Sequence, residues 1–453
     1  MQRISERRWL ILLIETKVRE LHAKMLLGLV AAEQGWGVLI GSKSAVRNVQ
    51  SYLPRGTFLE KGVAPGTAET IERARTHGHR VSAVCEEGLL YFTPEDNRAR
   101  RLDPRSMAAI DYFFAWGPRH AQDARNTLAR DSQKVVISGN PRLDLVRPEW
   151  RGILDPAVQQ IRERHGPIIL LNTKFPTVNN IIRTIGDYTD YLKSVGRITS
   201  PDHEALWRRF IAVQKHVLPR MLDLVPALSR AFPGHAIVVR PHPSEDNAPW
   251  QEKARPLRNV KVIDQGNVLE WILAADVVIQ NNCLTAVEAF LLDKPVIGYR
   301  PYQDDEAEFE LPRRLGLQAS TEAEVLSLIE AVVRREIDTA AGTSAQRELA
   351  RQCIANMDGR LASDVIVETF ETLDLPLAEG AFPLRPHGIG GSVARLKSLP
   401  VVKSMLTYNR KKFPSLSLAE MEGLRAGFQG ISGRFLDVEI RQAADDVFCL
   451  YRP

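Results

Sequence analysis

A histidine held between two prolines is the feature of the sequence best suited to chemistry. The run Ala236-Ile237-Val238-Val239 before it is short and β-branched, which predicts a buried strand. Arg240 follows, and then Pro241-His242-Pro243-Ser244-Glu245, in which both prolines fix φ and neither can continue a strand. We therefore expect a stiff loop at the carboxyl end of the strand, where open α/β sheets bind ligands. Arg240 and His242 would hold an anion there, and the alternative is a turn that merely contains a histidine.

A second polar turn lies where another predicted strand passes into a helix. Asp276-Val277-Val278-Ile279 predicts the strand, and Gln280-Asn281-Asn282-Cys283-Leu284-Thr285 is the turn that follows it. The unbonded N–H groups and the dipole at a helix N-terminus favour a phosphate. Asn282 or Thr285 is alternatively a plain N-cap, a role that is compatible with phosphate binding. Glu288, one turn inside the helix, suits a ribose diol, and the alternative is an ordinary surface residue.

The third candidate is an acidic turn. Glu86-Glu87-Gly88 directly follows the predicted strand Arg80-Val81-Ser82-Ala83-Val84. Adjacent carboxylates at a strand end point in different directions, so one can face a ligand while the other makes structural bonds. A carboxylate near a sugar hydroxyl would be a general base, and one that faces an anomeric carbon would be a nucleophile. The alternative is an exposed acidic loop.

Alternating strands and helices must position these motifs. Trp9-Leu10-Ile11-Leu12-Leu13-Ile14 predicts a strand, Lys17 to Gln34 an amphipathic helix, and Val38-Leu39-Ile40-Gly41 a second strand, which together form a βαβ unit. Pro167-Ile168-Ile169-Leu170-Leu171-Asn172-Thr173-Lys174 restarts this pattern. The sequence therefore predicts an α/β protein with two Rossmann-like domains, 1–150 and 151–373, that face a central cleft. In the extension 374–453, Gly, Pro and Ser become frequent, and we expect a tail in which the strands stop.

Composition narrows the classes of function. The chain has 453 residues, a net charge of +5 and four cysteines, none of them in CxxC spacing. These values disfavour a disulfide framework or a zinc site and are typical of a multidomain protein of the reducing cytoplasm. The sequence shows no GxGxxG, P-loop or HExxH motif and no stretch as long as a membrane span. We expect neither a metal nor a nucleic-acid partner.

A basic segment, 395–412, interrupts the extension. It carries Lys397, Lys403, Arg410, Lys411 and Lys412 beside apolar residues. Such a segment can lie on an anionic membrane surface, which predicts peripheral contact with the inner face of the membrane. The alternative is a solvated tail that folds back on the core.

Three of these features together resemble the pattern of GT-B glycosyltransferases that use CMP-activated acidic sugars, among them bacterial sialyltransferases and Kdo transferases. They are Glu86-Glu87-Gly88, His242-Pro243 and the turn from Asn281 to Thr285. In that group the acidic turn supplies the catalytic carboxylate, the His-Pro turn contacts the CMP phosphate, and a later Ser/Thr-rich turn completes phosphate binding. Here the later turn is Asn-Asn-Cys-Leu-Thr, so Thr285 is its one clear hydroxyl.

Longer stretches, spread over about residues 8–300, resemble the bacterial surface carbohydrate biosynthesis proteins. They are Ile14-Glu15-Thr16-Lys17-Val18-Arg19-Glu20-Leu21, Gly139-Asn140-Pro141-Arg142-Leu143-Asp144, Arg240-Pro241-His242-Pro243-Ser244-Glu245 and Asn282-Cys283-Leu284-Thr285-Ala286-Val287-Glu288-Ala289. In the tail, Lys412-Phe413-Pro414-Ser415-Leu416-Ser417 is similar too. Gly139 to Asp144 and Asp276 to Pro295 also resemble the CDP-glycerol glycerophosphotransferases of teichoic acid synthesis.

The resemblance implies a metal-independent GT-B transferase that moves a Kdo-like or nonulosonic acid from a CMP donor to a surface glycan or glycoprotein. No cofactor is expected beyond this co-substrate. The implied site residues are Glu86 or else Glu87 as base, with Glu86 favoured; Arg240, His242, Pro243, Ser244, Asn281, Asn282 and Thr285 around the phosphate; Glu288 at the ribose; and Lys17 with Arg19 for the sugar carboxylate or an anionic acceptor.

Three alternatives remain beside this interpretation. One is a glycerophosphotransferase with a CDP-glycerol-type donor, and another is an enzyme similar to UDP-GlcNAc 2-epimerase. The third is a non-catalytic glycan-binding module that uses the same scaffold. Nucleotide preference among CMP, CDP and UDP distinguishes these functions.

Overall fold

A computed structural model describes residues 2–181, 187–337, 342–384 and 412–453. The strands are β1 (Gln2–Arg7), β2 (Trp9–Ile14), β3 (Gly37–Ser42), β4 (Thr57–Glu60), β5 (Arg80–Val84), β6 (Phe113–Ala115), β7 (Val135–Ile137), β8 (Ile168–Asn172), β9 (Ala236–Arg240), β10 (Val260–Val262), β11 (Val277–Gln280), β12 (Val296–Tyr299), β13 (Leu317–Ala319), β14 (Ala378–Phe382), β15 (Glu439–Ala444) and β16 (Val447–Tyr451).

The α-helices alternate with these strands through most of the chain. They are α1 (Lys17–Glu33), α2 (Lys43–Asn48), α3 (Ala68–Thr76), α4 (Pro94–Arg101), α5 (Pro104–Ala108), α6 (Pro118–Leu128), α7 (Pro141–Asp144), α8 (Asp155–His165), α9 (Tyr188–Ser194), α10 (Pro201–Ala231), α11 (Ala248–Ala254), α12 (Val268–Ala274), α13 (Leu284–Leu291), α14 (Glu310–Arg314), α15 (Glu322–Val333), α16 (Ser344–Cys353), α17 (Ala362–Glu371) and α18 (Leu418–Ser432). Short 3-10 helices lie at Gln50–Tyr52, Ala129–Lys134 and Arg151–Leu154.

The chain divides into two compact units. The first comprises Met1–Glu86, Arg101–Leu145 and Ile354–Pro453, and the second comprises Glu87–Arg100 and Val146–Cys353. Each unit is built on a Rossmann-like sheet, so the predicted α/β architecture with two such sheets is confirmed. The unit boundaries differ from the predicted domain limits, because residues 87–100 belong to the second unit and the described residues 354–384 and 412–453 belong to the first.

The sheet of the first unit has the strand order β15-β16-β3-β2-β4-β5-β6-β7 in the described part of the chain. The strands from β3 to β7 in this order are parallel, and the hairpin β15–β16 adds to β3 in antiparallel orientation. All six residues of β2 are buried because helices cover both faces, which explains their unbroken apolar run. Polar strand ends such as Glu15, Lys61 and Glu86 therefore gather at one edge of this sheet.

The sheet of the second unit is wholly parallel, with the order β10-β9-β8-β11-β12-β13 in the described residues. The order reverses between β8 and β11, and the carboxyl edge at such a reversal is where open α/β sheets bind ligands. The 31-residue helix α10 begins at Pro201 with Ser200 as its N-cap and buries one face in the core beside this sheet.

The expectation that the strands stop after residue 374 is wrong. β14 pairs with β1, and the buried strand β16 extends the first sheet beyond β3. The Gly and Pro content of residues 374–453 predicts a tail, although the five residues of β16 form an apolar run. These residues are buried because β16 pairs with the edge strand β3. Of the basic segment 395–412, residues 395–411 lie outside the described residues, and the Lys412 Nζ atom lies 3.1 Å from Glu15 Oε1.

The close approach of β16 to β3 predicts the effect of one substitution. In Gly41→Ala the new Cβ would overlap the backbone oxygen of Asp446 and lie 2.9 Å from Val447 Cα. We expect the free energy of unfolding to fall by about 1–3 kcal/mol, because the hairpin must move. Thermal unfolding of this variant beside Gly62→Ala, whose Cβ meets nothing within 4 Å, is the measurement. Equal midpoints for the two variants would contradict this pairing.

Candidate functional site

The loops after β8 and β11 are joined by two hydrogen bonds between Lys174 and Asn281. The Lys174 N–H donates to Asn281 Oδ1 at 2.8 Å, and Asn281 Nδ2 donates back to the Lys174 carbonyl at 3.2 Å. The two loops at the reversal of strand order are thereby fixed to each other. The Asn281 side chain holds the loop after β8, and the predicted binding of phosphate by the N–H groups of the turn from Asn281 to Thr285 stays a prediction.

The neighbouring Asn282 also holds backbone. Its φ of 56° is left-handed, a conformation that Asn tolerates better than most residues. Its Nδ2 donates to the Phe309 carbonyl at 2.9 Å, and its Oδ1 accepts from the Phe309 N–H at 2.7 Å. The ammonium of Lys174 lies 4.0 Å from the centre of the Phe309 ring, a cation–π contact. Phe309 therefore joins the turn after β11 to the lysine after β8.

The turn ends in a helix whose first N–H groups are not capped by a side chain. Helix α13 follows Cys283, whose side chain makes no cap bond and whose own N–H donates to Gln280 Oε1 at 3.0 Å. The Thr285 hydroxyl lies 2.6 Å from the Cys283 sulfur, and burial raises the pKa of that thiol. Glu288, predicted at the ribose, is 3% exposed. The start of α13 thus offers partial positive charge at the carboxyl edge of the sheet, as a phosphate site requires.

The loop after β9 presents His242 in a defined tautomer. Its Nδ1 accepts the Ser244 N–H at 3.2 Å, so a neutral imidazole carries its proton on Nε2. The Ser244 carbonyl in turn accepts the Ile181 N–H at 2.9 Å. Both backbone groups of Ser244, a predicted phosphate-site residue, are therefore engaged, one with His242 and the other with Ile181.

A buried carboxylate sets the position of this loop. Glu245 is 1% exposed and accepts from the His242 N–H at 3.0 Å, the Phe175 N–H at 2.9 Å and the Thr173 hydroxyl at 2.9 Å. Trp250 Nε1 donates to it at 3.2 Å. Burial raises the pKa of Glu245, and these donors act in the opposite direction. One side chain therefore holds the loops after β8 and β9 together.

The Arg240 side chain contacts the loop after β10 and helix α12 of the second unit. Its guanidinium donates to the carbonyl groups of Gln265 at 2.6 Å and Gly266 at 3.0 Å and lies 5.2 Å from the centre of the Trp271 ring. Burial lowers the pKa of Arg240 to about 10. Its side chain shapes the loop after β10, and the structure does not join it to His242 through any described contact.

Asn172, the last residue of β8, is 3% exposed. Neither its Nδ2 nor its Oδ1 has a hydrogen-bond partner among the described residues. Its neighbours in register are Arg240 on β9 and Gln280 on β11, so it sits in the middle of the carboxyl edge. Buried amides rarely stay unbonded, so this side chain is suited to a polar ligand or a bound water.

The two carboxylates of the acidic turn differ sharply in burial. Glu86 is 4% exposed, with Oε1 at 3.0 Å from Lys24 Nζ, whereas Glu87 is exposed. Burial alone would raise the pKa of Glu86, but Lys24, Arg142 and Arg19 outweigh it and hold the pKa below its usual range. The Glu86 Oε2 atom is buried and has no hydrogen-bond partner among the described residues. Glu86 is thus an ionised carboxylate with one oxygen available to a donor.

The two predicted cations at the start of α1 have separate partners. Lys17 Nζ donates to Glu420 at 2.6 Å and to the Ser415 carbonyl at 2.8 Å. Arg19 lies 3.6 Å from Glu20 and contributes to the field at Glu86. Arg19 therefore contributes to the low pKa of Glu86, whereas Lys17 is bonded to the C-terminal segment.

No group of three or more His, Cys, Asp or Glu side chains within 2–181, 187–337, 342–384 and 412–453 could hold a metal ion. In the same ranges, no helix is long and apolar enough to cross a membrane.

Sequence reasoning missed three residues at the second unit's edge. They are Lys174, Asn172 and Glu245. Lys174 faces the Phe309 ring, the buried Asn172 amide has no hydrogen-bond partner among the described residues, and Glu245 accepts the His242 N–H. Lys174 and Asn172 follow or end a predicted strand beside the reversal of strand order, which is the signal that points to them.

Comparison with solved structures identifies the fold. Two structures of the wall teichoic acid polymerase TagF, both of histidine variants, superpose with TM-scores of 0.52 and 0.51, at 10% and 12% identity. Each match covers 80% of this chain and 88% of the other. The Methanocaldococcus jannaschii UDP-GlcNAc 2-epimerase, in complex with UDP-GlcNAc and UDP, gives 0.47 at 13% identity over 80% and 99% of the chains. No family model and no curated protein matches the sequence. The TagF likeness shows a GT-B-like fold.

The four donors around Glu245 predict the result of an isosteric change. In Glu245→Gln the amide oxygen can take the place of Oε1 and still accept from His242 and Phe175. The NH₂ group then faces Trp250 Nε1, so that buried donor loses its acceptor. We expect the free energy of unfolding to fall by about 1–3 kcal/mol. Chemical denaturation beside Glu252→Gln, an exposed change on nearby α11, measures the difference. Wild-type stability in Glu245→Gln would contradict the need for a second acceptor oxygen at this buried position.

Proposed function

We propose that the chain is a GT-B-type transferase that binds the phosphate of a nucleotide-activated donor at the carboxyl edge of β8, β9 and β11. The observation that carries this proposal is the joining of three strand-end loops at the reversal of strand order, where α/β sheets bind ligands. His242 Nε2, the Lys174 ammonium and the uncapped start of α13 supply donors and positive charge of the kind that binds a phosphate.

In this proposal the second unit stabilises the departing nucleotide. Negative charge grows on the phosphate oxygen as the bond to the donor group breaks, and donors already held in place stabilise it without rearrangement. His242 is fixed through Ser244 and Glu245, which gives it the required rigidity. Arg240 supports the site through the loop after β10. Glu86, which its cationic neighbours keep ionised, is the proposed base for the acceptor hydroxyl.

We favour a cytidine donor of the CDP-glycerol type. The TagF likeness and the motifs from Gly139 to Asp144 and from Asp276 to Pro295 support it. The acceptor oxygen would attack the phosphorus that bears the glycerol, and CMP would leave. The second candidate is a CMP-activated Kdo-like or nonulosonic acid, in which the oxygen attacks the anomeric carbon and CMP also leaves. The resemblance of Glu86-Glu87-Gly88 to the acidic turn of the CMP-sugar transferases favours this one.

The fate of phosphorus separates the two donors. With CDP-glycerol the product gains a phosphodiester, whereas with CMP-Kdo it gains a glycosidic bond and no phosphorus. Incubation of the full chain with each donor and a surface-glycan acceptor preparation, followed by ³¹P NMR of the product, distinguishes them. Interconversion of UDP-GlcNAc with its C2 epimer, without release of CMP from either donor, would overturn the transferase proposal.

His242→Ala should weaken nucleotide binding. Loss of a hydrogen bond to a charged phosphate costs about 1.5–3 kcal/mol, so we expect the Kd for CMP to rise about tenfold or more. Equilibrium dialysis measures it, and His216→Ala is the matched control because that exposed imidazole only stacks on Tyr302. An unchanged Kd in His242→Ala would remove the histidine from the phosphate site.

Glu86→Gln should separate binding from transfer. The amide keeps the shape of the side chain but cannot take a proton, so turnover should fall about a hundredfold or more. The Kd for CMP should stay within about threefold, because the proposed phosphate site uses other residues. Steady-state assays with either donor provide the turnover, and Glu95→Gln, in the same stretch of chain, is the control. Normal turnover in Glu86→Gln would assign the base to another residue.

A further inference from the structure

The stretch that follows Glu86 is firmly anchored in the second unit. Residues 87–100 belong to that unit, and Asp96 within them is fully buried. Its carboxylate accepts from Arg100 Nε and Nη2, both at 2.7 Å, from His203 Nε2 at 3.2 Å and from Trp207 Nε1 at 3.1 Å. We call residues 87–100 the linking segment, because the chain passes through it directly after the proposed base.

An aromatic side chain of the linking segment reaches the residue that joins the phosphate loops. The Phe92 ring stacks on Phe309, with centroids 4.6 Å apart and planes 16° from parallel. It also meets Trp207 edge-on at 5.4 Å. Phe309 in turn holds Asn282 through both backbone groups and carries the Lys174 ammonium on its ring. One aromatic pair therefore connects the linking segment with two parts of the proposed phosphate site.

We infer that Phe92 is a positioning residue for nucleotide binding, acting through Phe309 on Lys174. Phe309 is 4% exposed, and its ring orientation depends on the faces packed against it. Without the Phe92 ring it can tilt, which moves the surface that carries the ammonium. The coupling is reciprocal, so a nucleotide that fixes Lys174 also orders the linking segment, which begins at the residue after Glu86. This inference rests on the proposed function.

A double-mutant cycle tests whether Phe92 affects nucleotide binding through Lys174. Phe92→Leu should raise the Kd for CMP about threefold to tenfold, since an offset aromatic stack contributes about that factor. In a Lys174→Met background the same change should have little effect, because the group through which Phe92 acts is gone. Phe92→Tyr, which keeps the ring, should restore wild-type affinity. Arg98→Ala, an exposed change in the same segment, is the control.

The outcomes separate this inference from the function on which it rests. The inference would be overturned if the effects of Phe92→Leu and Lys174→Met on the Kd for CMP were fully additive, or if a folded Phe92→Leu protein had an unchanged Kd. Neither result would affect the proposed function, provided that the wild-type chain binds a nucleotide. A wild-type chain that binds none of CMP, CDP and UDP would overturn the proposed function and the inference with it. If Phe92→Leu does not fold, a loss of affinity in Phe92→Tyr would count against the inference.

Hydrogen exchange provides an independent readout. CMP should slow amide exchange in the linking segment of the wild-type chain, and Phe92→Leu should abolish this protection at saturating CMP. Exchange in 87–100 that CMP leaves unchanged in the wild type, while the phosphate loops become protected, would contradict the coupling.

Discussion

Burying a carboxylate costs several kcal/mol unless donors surround it, and this cost makes Glu245 decisive for the second unit. Its donors come from the loop after β8, the loop after β9 and Trp250 on α11. Separating these loops would deprive the buried carboxylate of donors, so the bonds to Glu245 hold the loops together. The position of His242, and with it the edge that we assign to the nucleotide, follows from this constraint.

The two units use charge in opposite ways. In the first, cations surround Glu86 and keep it ionised in spite of burial. In the second, His242, Lys174 and the N-terminus of α13 lie at the ends of the strands. The carboxylates Glu245 and Glu288 are buried there. A negative group that can accept a proton and an edge that attracts a phosphate are the two requirements of transfer from a nucleotide-activated donor.

Local patterns predicted the sheets and the loops but not the partners of the side chains. Short β-branched runs such as Ala236–Val239 specify buried strands, and proline on both sides of His242 specifies a stiff loop. The roles of Arg240 and Asn282 depend on contacts with residues more than 20 positions away, which no local pattern contains. The strand β16 was missed because its burial depends on pairing with β3 at the other end of the chain.

The central claim is that the carboxyl edge of the second unit binds the phosphate of a cytidine nucleotide. Calorimetric titration of CMP, CDP and UDP into the full chain, without added metal, tests it most directly. The account predicts one site per chain for CMP and CDP and weaker binding of UDP. Binding of UDP tighter than that of both cytidine nucleotides, or no heat of binding for any of the three, would contradict it.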